Sequence, residues 1–165
     1  MRDAIQDEVP AANAKVISGP DTGSEMLIVY PDRILGGLGS TTADEQAGRM
    51  LRTMLRDGGT ALEEIDGRRV FLEAHLPPPH LVIIGAVHIA IPLVTFGQTL
   101  GFRTTVIDAR SQFATDERFP HADRLIETWP DDALNQLNLH PGVAAVCLAH
   151  DPKFEDPAME VLLRS

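Results

Sequence analysis

Three sets of residues in this chain have types and spacings that could do chemistry. His150-Asp151-Pro152-Lys153 puts an imidazole able to serve as acid, base or hydrogen-bond donor next to a carboxylate able to orient it and an ammonium able to neutralise phosphate. Asp108 and Arg110 offer a carboxylate suited to a ribose hydroxyl and a guanidinium suited to a 2′-phosphate or another anion. The third set is backbone. Gly85-Ala86-Val87-His88-Ile89-Ala90 joins a short apolar run to an amphipathic one. A strand that hands over to a helix at this point aims free N–H groups and the positive end of the helix dipole at any anion placed there.

Asp108 lies 23 residues beyond Gly85, close to the roughly 20 that separate the first glycine of a dinucleotide fingerprint from its ribose-binding acid. Val87 stands where that fingerprint has its second glycine, and Ala90 is a tolerated substitute for the third. Each set also has a plain structural alternative. Gly85 to Ala90 can be a packed strand-to-helix turn, Asp108 and Arg110 can be loop or surface charges, and His150 to Lys153 can be an Asp-Pro turn with a capping histidine. The pattern leaves both readings open.

These residues can act together only if regular elements bring them to one edge. Leu81-Val82-Ile83-Ile84 is a strand buried on both faces, followed by a crossover helix and a second strand from Thr104 with Asp108 at its end. Pro92, early in that helix, predicts a late helix start and a wide loop. A third strand is expected at Arg124 to Glu127, a short helix from Pro130 to about Leu137, an apolar fourth strand at Gly142 to Ala149, and a helix at Pro157 to Leu163. The parallel order 3-2-1-4 follows, with a topological switch between strands one and four, so the loops at Gly85 and His150 face one crevice. This is an α/β, Rossmann-like domain of about four strands, incomplete at its C-terminal side. Its fourth strand then has a bare edge, to be covered by another chain, the N-terminal region or further residues.

Pro77-Pro78-Pro79 cannot continue a ladder and marks a boundary, giving a small β-rich region over 1–77 and the α/β domain over 78–165. Within the first, Met1 to Asn13 reads as a loose arm, and Lys15 to Ser18 pairs with Met26 to Tyr30 as a hairpin. Ser40-Thr41-Thr42 can cap a helix with apolar positions Ala43, Ala47, Met50, Leu51, Met54 and Leu55, which stops at Gly58-Gly59. Strands at Thr60 to Ile65 and Arg68 to Leu76 flank the tight-turn dipeptide Asp66-Gly67.

With 14 basic and 24 acidic side chains the net charge is −10, which argues against nucleic acid and anionic membrane as partners. Cys147, the single cysteine, lies in the apolar run Val143 to Ala149 and is expected to be a buried thiol in a reducing cytoplasm. The six histidines form no i, i+4 pair and have no cysteine partner, so no zinc site is expected. No G-x-S-x-G elbow occurs, and no glycine-rich turn runs into Lys-Ser or Lys-Thr. An NAD(P)-linked oxidoreductase remains open, with His150 its one evident proton donor, as does a regulatory domain with a vestigial pocket.

Four stretches together resemble the XdhC/CoxI family, the accessory proteins of xanthine dehydrogenase and related molybdenum hydroxylases. They are Leu81 to Val94 (LVIIGAVHIAIPLV), Val106 to Arg110, Phe113-Ala114-Thr115 with Glu117-Arg118-Phe119-Pro120, and Leu148 to Phe154 (LAHDPKF). The resemblance implies a Rossmann-type domain and an accessory protein that binds molybdenum cofactor (molybdopterin). It further implies sulfuration by a cysteine desulfurase, delivery to the apo-hydroxylase, and a homo-oligomer. Together with the switch-point crevice, it places the expected cofactor site at Gly85, Ala86, Val87, His88, Ala90, Asp108, Arg110, His150, Asp151 and Lys153. The Ser-Gly-Gly-Cys motif of the family has only the cysteine-free stretch Gly36-Gly37-Leu38-Gly39-Ser40-Thr41 as a counterpart here.

Overall fold

The computed structural model describes residues 1–165 and divides into two compact units, Met1–Pro77 and Pro78–Ser165. The first begins with a one-turn helix α1 (Arg2–Gln6) and then forms five strands and a long helix: β1 (Ala11–Ser18), β2 (Glu25–Val29), β3 (Arg33–Gly36), α2 (Thr41–Asp57), β4 (Thr60–Ile65) and β5 (Arg68–His75). The strands make one sheet in the order β3-β2-β1-β5-β4, with every pairing antiparallel. Asp66 and Gly67 take positive φ at the β4–β5 turn, the primed geometry that matches strand twist. Helix α2 packs on β1 and β5 through Ala43, Ala47, Leu51 and Leu55, one buried stripe at helical spacing. Ser40 caps it by accepting from the Ala43 N–H at 3.2 Å, and Gly58 with φ of 71° ends it.

Two expectations fail in this unit. Met1 to Asn13 is not a loose arm. Residues 2–6 are helical, and β1 starts at Ala11 because Ala11, Ala12 and Ala14, too small to register as a hydrophobic pattern, are fully buried between β2 and β5. The edge strand β3 escapes a burial-based reading because all four of its residues are exposed.

The second unit runs β6 (His80–Ile84), α3 (Ala90–Thr99), β7 (Arg103–Ile107), β8 (Arg124–Ile126), α4 (Pro130–Leu134), β9 (Val143–Cys147) and α5 (Pro152–Leu162). Its sheet is parallel throughout, in the order β8-β7-β6-β9. Strand β6 is central and feeds both faces: Ile83 packs with Val94, Val106 and Phe119, and Val82 and Ile84 pack with Ile107, Leu134 and Ala158. This is the physical reason for its unbroken apolar run.

Helix α3 starts at Ala90, so Pro92 falls in its first turn, where no intrahelical N–H bond is lost. Helix α4 is shorter than expected, ending at Leu134, and α5 is longer, starting at Pro152. The early start of α5 comes from Asp151, which caps it by accepting from the Lys153 N–H at 3.2 Å. Cys147 is half-buried rather than buried, since β9 is an edge strand. No helix is long and apolar enough to cross a membrane.

Candidate functional site

The C-terminal tips of β6, β7 and β9 meet around one peptide, that of Ala86. Gly85 leaves β6 with φ of +107° and donates its N–H to Ile107 O at 2.8 Å, tying the loop to β7. On its other side a Cβ at position 85 would lie 2.7 Å from Ala149 N and 3.0 Å from Ala149 Cα. Glycine is therefore demanded by the backbone at the β9 tip. That contact is a structural cause for the residue, independent of any phosphate.

The next amide, Ala86 N–H, donates to Asp108 Oδ2 at 2.8 Å. Asp108 directly follows β7 and is only 3 % exposed. Its Oδ1 accepts from Arg110 N at 3.0 Å and Arg110 Nε at 2.8 Å, and its Oδ2 also accepts from Arg110 Nη2 at 2.7 Å. A carboxylate has about four lone-pair positions, and all are occupied within the protein. Burial pushes the Asp108 carboxyl up, but the Arg110 side chain and the N–H groups of Arg110 and Ala86 outweigh it and hold it below the usual carboxylate value. The same carboxylate raises Arg110, against its own desolvation, and the charge of Asp151 adds to this from the β9–α5 junction.

Two residues that the spacing arguments passed over complete the arrangement. Arg118 Nη1 donates to Ala86 O and to Phe113 O, each at 2.8 Å, so the Ala86 peptide is held at its N–H by Asp108 and at its C=O by Arg118. Phe154, the buried residue of the α5 first turn, lies 5.2 Å from the Arg110 guanidinium, whose other neighbour Phe113 is at 4.4 Å. A guanidinium between aromatic faces gains cation–π attraction and keeps its plane fixed. The signal available in the sequence was the cluster Arg110, Phe113 and Arg118, three cation or aromatic residues within nine positions.

The structure thus joins Gly85, Ala86, Asp108 and Arg110 into one network and brings Asp151 within electrostatic reach of it. It does not form the expected Asp151–His150 pair, because the Asp151 carboxylate is engaged as the cap of α5. His150 sits at φ of 52° with its N–H bonded to Glu155 Oε1 at 2.9 Å, and its residue is exposed. Lys153 is exposed too, with Nζ 3.9 Å from Asp151 Oδ2 and 4.6 Å from the Phe154 ring. Val87, His88 and Ile89, the turn before α3, make no hydrogen bond through their N–H groups, and His88 is exposed. Ala90 is buried in the sheet face. No group of three or more His, Cys, Asp or Glu side chains is placed to hold a metal.

Chemically, the arrangement presents a tightly fixed loop peptide, three consecutive amides before α3 without an acceptor in the protein, and exposed His88, His150 and Lys153. A ligand directed at Asp108 must first displace Arg110. A cavity of about 490 Å³ lies away from this edge, lined by Leu134, Leu137 and Leu139 and by α5 residues including Pro157 and Val161.

Comparison with known proteins gives a consistent result. The family model described as the XdhC Rossmann domain matches residues 81–165. The chain is 33 % identical over 93 residues to a protein of Bacillus subtilis (strain 168) whose name describes it as a probable subunit of xanthine dehydrogenase, a stretch covering 56 % of this chain and 28 % of that protein. A crystal structure from Bacillus halodurans, titled a xanthine dehydrogenase, superposes with a TM-score of 0.58 at 22 % identity, covering 99 % of this chain and 47 % of that one. The chain spans less than half the length of either relative. At that identity the structural likeness speaks for the fold.

Proposed function

Because the chain belongs to the XdhC family through residues 81–165, we propose that it is an accessory protein of a xanthine dehydrogenase-type molybdenum hydroxylase. It holds the molybdenum cofactor as cargo and passes it, after sulfuration by a cysteine desulfurase, to the apo-enzyme. The observation that carries the reading is the family match over the very unit that contains the Gly85–Ala90 turn.

Molybdopterin ends in a phosphate, and the residues present fit such a terminal group. The N–H groups of Val87, His88 and Ile89 have no acceptor within the protein, they precede a ten-residue helix, and Lys153 supplies an unburied ammonium from the first turn of α5. The fit to a dinucleotide is poorer. Val87 replaces the glycine that would admit a pyrophosphate to the backbone, and the four acceptor positions of Asp108 are occupied by Arg110 and Ala86. In this reading Asp108 and Arg110 position the loop, and His88, His150 and Lys153 face the cargo.

The test is titration of the purified chain with molybdenum cofactor, followed by pterin fluorescence, together with reconstitution of an apo-hydroxylase. Binding is expected, with Lys153→Ala weakening it and leaving the thermal midpoint unchanged. Absence of binding combined with no effect on reconstitution overturns the proposal. Quenching by NADH of equal strength points instead to a nicotinamide site.

A further inference from the structure

Trp129 departs from two local rules at once. It is the N-cap residue of α4, a position that favours Ser, Thr, Asp or Asn, and its side chain makes no capping hydrogen bond. It is also the single tryptophan of the chain, and it is 45 % exposed, so much of the burial that an indole offers is left unused. A residue that serves neither the helix it begins nor the core beneath it has the mark of a functional position.

The indole is held in place by its neighbours. Its ring centroid lies 5.1 Å from that of Phe154, with the planes tilted by 32°, within the range of offset aromatic pairs. Phe154 is only 4 % exposed, and the Arg110 guanidinium and Lys153 Nζ lie 5.2 Å and 4.6 Å from its ring centroid. Arg110 is fixed in turn by Phe113, at 4.4 Å, and by the Asp108 carboxylate. Trp129 is therefore the outer end of a continuous column of aromatic and guanidinium groups, drawn from the segments that follow β8, β9 and β7. What Phe154 leaves uncovered is an aromatic surface fixed by packing before any ligand arrives, which lowers the cost of binding.

The column stands at the carboxyl ends of the strands, where open parallel sheets receive ligands. Phe154 lies in the first turn of α5, whereas Ser165 follows its last, so the column is built without the residues nearest the end of the chain. Lys153, beside it, is the cation that the preceding reading gives to a phosphate.

We propose that the exposed surface of Trp129 is a stacking platform for a planar heteroaromatic ring that carries a phosphate. Stacking on an aromatic side chain accepts any planar base, so this chemistry is common to a pterin and to a purine nucleotide. The choice of a pterin rests on the cargo reading above. The platform adds a division of labour to it: the amides of Val87, His88 and Ile89 and the Lys153 ammonium meet charge, and Trp129 meets the ring.

The test separates ring from phosphate. The full chain is titrated by calorimetry with 6-hydroxymethylpterin, which has the ring alone, with ribose 5-phosphate, which has the phosphate alone, and with AMP. The single indole N–H resonance is followed by NMR. The pterin is expected to shift that resonance saturably. Trp129→Leu, which keeps an apolar side chain against Phe154 but offers no aromatic face, is expected to weaken pterin binding about tenfold or more, and Trp129→Phe to retain most of it. Both variants are expected to bind ribose 5-phosphate as the wild type does. An indole resonance indifferent to both the pterin and AMP, or undiminished ring affinity in Trp129→Leu, overturns the platform. So does a loss of ribose 5-phosphate binding in Trp129→Leu equal to its loss of pterin binding, the result of a merely structural role. A saturable shift with AMP at higher affinity than with the pterin supports the platform and makes a purine nucleotide its source. Failure of the wild type to bind ribose 5-phosphate, with the indole shift retained, supports the platform and counts against the amide site alone.

Discussion

Replacing Asp108 by alanine should destabilise the second unit far more than it affects any anion binding. Four hydrogen bonds end on this carboxylate, three from Arg110 and one from the Ala86 amide, and Asp108 is 3 % exposed. Truncation leaves the buried Ala86 N–H without an acceptor, at a cost of about 1–3 kcal/mol. Breaking a fully buried ion pair costs about 3–5 kcal/mol, but the Arg110 side chain is 29 % exposed and can turn to water, so its share falls toward the lower end. Together these give a loss of roughly 2–4 kcal/mol. Urea unfolding, followed by the fluorescence of Trp129 in the second unit, measures this, because the first unit contains no tryptophan. Amide exchange adds a local readout, in which the Ala86 N–H should lose protection. A loss under about 0.5 kcal/mol, the size of an ordinary surface change, with Ala86 still protected would refute the argument that Asp108 acts as the clamp of this loop.

Gly85→Val should lower the stability of the same unit, through about 1–3 kcal/mol of backbone strain at φ of +107° plus the clash with Ala149. A thermal midpoint equal to wild type would count against it. Acid should selectively weaken this unit. Asp108 is held below the usual carboxylate value in the fold, so its contribution is complete above about pH 4. It is lost as pH falls through the folded-state value. Asp108→Asn should flatten that part of the stability profile, as read by urea midpoints from pH 5 downward. Ser40→Ala should cost the first unit about 1 kcal/mol by uncapping α2, where Ser40 accepts from Ala43 N and donates to Asp66 Oδ2 at 2.6 Å. Unfolding followed by Tyr30 fluorescence would show it.

The sequence by itself determined the parallel sheet and its order, because Leu81 to Ile84 and Val143 to Cys147 are apolar runs, Thr104 to Ile107 is β-branched throughout, and their linkers fit crossovers. It also determined the helix capped at Ser40 and the turn at Asp66-Gly67, both of which depend on local chemistry. Local signals failed where packing alone decides. Ala11, Ala12 and Ala14 become strand because neighbours close over them, and exposed β3 is strand only because β2 offers it a ladder. The site followed the same division. Spacing picked out Gly85, Asp108 and Arg110, but their relation was set by tertiary contact: Ala149 approaches Gly85, and Arg110 folds back on Asp108. Arg118 reaches Ala86 from 32 residues away. Hydrogen-bond partners so distant in the chain leave no periodicity behind, so only the folded structure could show that the Asp108 carboxylate is already engaged.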